Sequence, residues 1–62
     1  MNHFRQREVK REVSHELNSI KSAILRQSDR LRDAGMFTRA EKLSAIAGRL
    51  ESYQAVHLKD RR

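Results

Sequence analysis

Apolar residues in the first half of the chain recur at helical spacing. Val13, Leu17, Ile20, Ile24, Leu31 and Ala34 step by four, three, four, seven and three, which fits one stripe of an α-helix and breaks strand alternation. Arranged in sevens, Leu17, Ile24 and Leu31 form one row of a seam, with Val13, Ile20, Gln27 and Ala34 forming the other. The second half repeats the pattern. Leu43, Ile46, Leu50 and Tyr53 form its seam, His57 falls at the next position, and Ala40, Ala47 and Gly48 are small enough to admit a close neighbour.

Between the two halves the periodicity stops. Gly35 follows the last periodic residue, where a left-handed C-terminal cap carries no Cβ penalty. Thr38-Arg39-Ala40-Glu41 then has the form of a capping box, with Thr38 as N-cap and Glu41 reaching back to it. A stop and a start this close predict a turn at 34–38 and antiparallel helices. The predicted fold is all-α: an antiparallel two-helix hairpin over 12–60, with a long first helix. The overhang 1–11 continues that helix, forms a basic arm, or packs on a second protomer, and 61–62 form a basic tail.

Composition narrows the picture. Sixty-two residues without cysteine have no disulfide and no cysteine-based zinc site. One seam between two helices is a thin core for so small a chain, and oligomerisation is the usual remedy. The core is therefore expected to be completed in a homodimer or against a partner. Phe4, Val9, Leu25, Val56 and Leu58 lie off the main seam and are candidates for that interface. Gly48 joins them as a packing glycine, and Gln27 as a seam polar residue that either pairs with its copy or meets water. No apolar run is long enough for a membrane span and no secretory leader is evident, so a cytoplasmic protein is expected.

Charge is unevenly placed. The net +6 divides into +3 for residues 1–11, zero for 12–33, +1 for 34–54 and +2 for 55–62. An antiparallel hairpin brings both termini, and most of that charge, to one end. Arg5, Arg7, Lys10, Arg11, Lys59, Arg61 and Arg62 are the candidate phosphate-contacting residues. Arginine outnumbers lysine, and its planar fork suits phosphate and carboxylate.

Catalytic chemistry finds no foothold. There is no phosphate-binding glycine loop or serine elbow, and Glu12 and Glu16 sit among basic residues. His15 is expected to point outward and His57 inward, which argues against a shared metal; neither metal nor cofactor is expected. Aromatic residues are too few for single-strand stacking. The leading expectation is a small non-enzymatic regulator that binds DNA or structured RNA through the basic end. The alternative is an inhibitor or adaptor that docks an apolar helix face on a larger protein machine, its basic end steering it towards an acidic protein surface.

Phe37, Arg39, Ala40 and Leu43, after a helical turn, resemble part of the UVR motif, a short helical hairpin that binds partner proteins. The resemblance covers about a quarter of the chain and implies a protein partner. Gly48-Arg49 departs from that family's acidic continuation.

Overall fold

The computed structural model describes residues 3–58, with side chains from Arg5 onward. Two α-helices, α1 (His3–Asp33) and α2 (Phe37–Tyr53), fold back on each other, and a π-helical turn, Gln54–Leu58, ends the second arm. The result is a rod of 50 × 16 × 16 Å. At about 1.5 Å per residue, the 31 residues of α1 account for nearly its whole length.

The turn is shorter than the sequence predicts. Gly35 adopts φ +82°. The Met36 N–H donates to the Leu31 carbonyl and the Gly35 N–H to Arg32, both at 2.9 Å, which is the paired closure of a Schellman cap. Met36, partly covered, stands at the position that usually packs back on the residue in Leu31's place. Arg30 and Arg32 in the last turn of α1 complement its dipole. Because this cap reverses the chain by Met36, α2 begins at Phe37 and Thr38 falls inside its first turn. The predicted Thr38–Glu41 capping box is therefore not formed. Met36 is the N-cap, makes no side-chain cap bond, and accepts from the Ala40 N–H at 3.0 Å.

The contact line between the helices also differs from the predicted seam. Leu17, Ile24 and Leu31 are partly covered, as expected, and Leu43 and Leu50 match them on α2. The second row of α1 that faces α2 is Ser14, Lys21 and Ser28, whereas Val13, Ile20, Gln27 and Ala34 are exposed. On α2 the partner row is Ala40, Ala47 and Gln54, all buried, while Ile46 and Tyr53 are exposed. Four of these six side chains, Ser14, Ser28, Ala40 and Ala47, are small, which lets the two backbones come near. Ser28, 1% exposed, uses the proximity to donate its hydroxyl to the Ala40 carbonyl at 2.7 Å. Half of the apolar stripe is thus left outside the hairpin.

The π-helical turn corrects a further expectation. A π-turn takes up one more residue than the α period allows. After Gln54 it carries Leu58, in place of His57, back towards α1; Leu58 is half-buried and His57 is exposed. The His57 ring instead lies on Tyr53, with centroids 4.7 Å apart.

Candidate functional site

The hairpin has two unlike sides and one charged end. On the first side, Asn18, Ser22 and Leu25 of α1 and Ser44, Gly48 and Glu51 of α2 line a shallow groove of about 550 Å³. Lys21 reaches over it to Glu51 at 2.5 Å. The groove is mixed in character, and Gly48 is not a close-approach residue: a Cβ there meets nothing within 4 Å.

The opposite side carries exposed apolar residues, with Gln27 among them. Residues seven apart share a row along each helix, and the exposed Val13 and Ile20 flank the row of Leu17, Ile24 and Leu31 away from the groove. Ile46 and Tyr53 flank Leu43 and Leu50 in the same sense. Val13, Ile20, Ile46 and Tyr53 retain 40%, 46%, 44% and 51% of their surface. The only buried apolar side chains among the described residues are Ala40 and Ala47. The partly covered Leu17, Ile24, Leu31, Leu43 and Leu50 lie between this face and the contact line.

At the open end, Gln54 ties the arms together. Its amide nitrogen lies 2.9 Å from the Ser14 carbonyl, 3.0 Å from the Ser14 hydroxyl and 3.1 Å from the Asn18 amide oxygen, and its own Oε1 is buried without a hydrogen-bond partner. Beside it, Leu58 shares a mostly polar cleft of about 290 Å³ with Arg11, Ser14, His15 and Asn18. His3–Lys10 of α1 continue past this level as helix.

Charge on the overhang is segregated by face. At about 100° per residue, Arg7, Lys10 and Arg11 fall within one third of the circumference, in line with Ser14, Leu17 and Asn18. Glu8, Glu12 and Glu16 lie on another sector, drifting round towards the rim of the apolar face. No ion pair engages Arg7, Lys10 or Arg11 among the described residues.

Of the candidate phosphate-contacting residues, Arg5, Arg7, Lys10 and Arg11 are on this helical overhang; Lys59, Arg61 and Arg62 lie outside the described residues. So does the side chain of Phe4. The other candidate interface residues do not converge. Leu25 and Gly48 both line the groove, Leu58 is tucked against α1, and Val9 and Val56 are exposed at 41% and 66%. Gln27 is exposed and accepts from Arg30 at 3.4 Å. His15 is exposed, as predicted, but so is His57, against the inward position expected from the α period. Sequence reasoning missed the Ser14–Asn18–Gln54 tie and the Ser28–Ala40 contact. The available signal was the seven-residue spacing of Ser14, Lys21 and Ser28 opposite that of Ala40, Ala47 and Gln54.

No group of three or more potential metal-ligating side chains is present among the described residues, and none of their helices is long and apolar enough to cross a membrane. No family model matches the chain, and no curated protein or solved structure matches it either.

Proposed function

We propose that this chain is a small non-enzymatic regulator that binds DNA or structured RNA through its basic open end. The observation carrying the reading is the juxtaposition of Arg7, Lys10 and Arg11 on one sector of a helical overhang, with no acidic partner among the described residues. Phosphates attract such a cluster and release counterions on contact. Glu12 and Glu16 lie on a different sector of α1 from this cluster. In the sequence Lys59, Arg61 and Arg62, with Asp60 among them, come after Leu58 and carry a net +2. Cytoplasmic residence fits this role.

Fluorescence anisotropy with duplex DNA and with a structured RNA tests the reading. Affinity falls steeply as salt rises from about 50 to 200 mM, because each phosphate contact contributes about 0.9 to the log–log slope. Replacing Arg7, Lys10 and Arg11 together by Gln lowers that slope by about two to three. Absence of binding, or affinity indifferent to salt, overturns it. The apolar face favours a second reading, an adaptor that docks that face on a different protein, with the basic end steering the encounter.

A further inference from the structure

The basic sector of α1 does not stop at the overhang. Arg7, Lys10 and Arg11 share their third of the circumference with Ser14 and Asn18, one and two turns further along the same helix. Serine hydroxyls and asparagine amides also contact phosphates, so the strip that suits a nucleic-acid backbone runs on beneath the second arm. There the last five described residues of that arm, Gln54–Leu58, occupy it. The Gln54 amide nitrogen takes the Ser14 hydroxyl and the Asn18 amide oxygen. Leu58 shares the adjoining cleft with Arg11, Ser14, His15 and Asn18, and Ser14 is partly covered.

The hold of this segment on α1 is poorly matched. The Gln54 amide nitrogen has two hydrogens for three acceptors. Its Oε1, in a residue only 5% exposed, is buried with no hydrogen-bond partner. An unmet buried acceptor costs free energy that contact with water relieves. Leu58, half-buried, sets an apolar side chain against a mostly polar cleft. The segment is also a π-turn, a rare geometry that recurs at functional sites. Firmer contacts lie nearer the Gly35 turn, where Ala40 and Ala47 are buried, Ser28 reaches the Ala40 carbonyl and Lys21 pairs with Glu51. Release of Gln54–Leu58 leaves all of these in place.

We infer that Gln54–Leu58 is a strap over the inner half of the phosphate-binding strip, and that a nucleic-acid backbone displaces it to reach Ser14 and Asn18. This regulation of the same site rests on the proposed function. With the strap closed, the strip runs from Arg7 to Arg11, about 6 Å; with it open, the strip reaches Asn18, about 16 Å from Arg7. The apparent affinity of the longer strip is scaled down by the fraction of chains whose strap is open.

Leu58→Ala removes the apolar anchor of the strap. Fluorescence anisotropy with the duplex DNA and structured RNA probes is expected to read binding about three- to tenfold tighter. The salt slope stays that of the parent chain, since no cation is added. Unchanged or weaker binding overturns the strap and leaves the basic cluster standing. No binding by the parent chain or the variant removes the proposed function and the strap together. Helical content by circular dichroism shows that the variant folds. Hydrogen exchange on the unaltered chain needs no variant: adding the probe that binds speeds exchange of the 55–58 amides and leaves those of Ala47 and Leu50 unchanged. Unchanged or slower exchange at 55–58 overturns the displacement.

Discussion

Two glycines in this chain face opposite demands, and a single methyl group at each reports on different parts of the structure. Gly35 holds φ +82° in the turn, a conformation that costs an L-residue roughly 1–2 kcal/mol. Open space surrounds a Cβ there, so the penalty is purely conformational. Gly48 lies inside α2, exposed, with nothing within 4 Å of a built Cβ. There alanine gains about 0.8–1 kcal/mol of helix propensity and meets no clash. Gly35→Ala is therefore expected to lower the melting temperature and Gly48→Ala to raise it, each by about 4–8 °C for a domain of this size. Thermal circular dichroism at one fixed protein concentration measures both. Destabilisation by Gly48→Ala refutes the reasoning, because it means that another backbone packs on the groove side and that the hairpin's open and closed sides have been assigned wrongly. An unchanged melt for Gly35→Ala contradicts the Schellman turn.

Other substitutions probe the contact line and the open end. Ala40, 0% exposed at the line of closest approach, has no room for a larger side chain, and Ala40→Leu destabilises by about 1–3 kcal/mol in denaturant unfolding. Lys21→Met keeps the covered stem but loses the ion pair to Glu51, which is 67% exposed; the change stays below about 1 kcal/mol, and a larger loss in chemical denaturation contradicts that estimate. Gln54→Glu sets a buried carboxylate against the Ser14 carbonyl and the Asn18 amide oxygen. Burial and these acceptors raise the folded pKa of that carboxyl above its unfolded value of about 4.3. Stability is then retained below about pH 4 and lost as pH rises through the folded pKa, by about 1–3 kcal/mol. Urea midpoints at pH 3.5 and 7 that differ no more than those of the parent chain refute this.

Local chemistry settled the elements. The helical spacing of Leu17, Ile24, Leu31, Leu43 and Leu50, the absence of proline and the glycine at position 35 determine two helices and where the first ends, because periodicity and the left-handed cap depend on neighbours in the chain. Pairing depended on distance in space. A stripe as broad as Val13 to Ile24 cannot say which of its edges meets α2, and the structure chose the edge where Ser28 reaches the Ala40 carbonyl, since small residues permit the closest approach. Thr38 reads as a cap in isolation, yet the Met36–Leu31 closure starts α2 before it. His57 belongs to the seam by counting, but the π-turn after Gln54 gives that place to Leu58. The basic character of the overhang was legible in the segmental charge. Its segregation onto one sector followed once the overhang was shown to be helix. The apolar residues left uncovered on the other side of the hairpin emerged only once the contact line was set, because the packed edge of each helix determines which side chains remain outside.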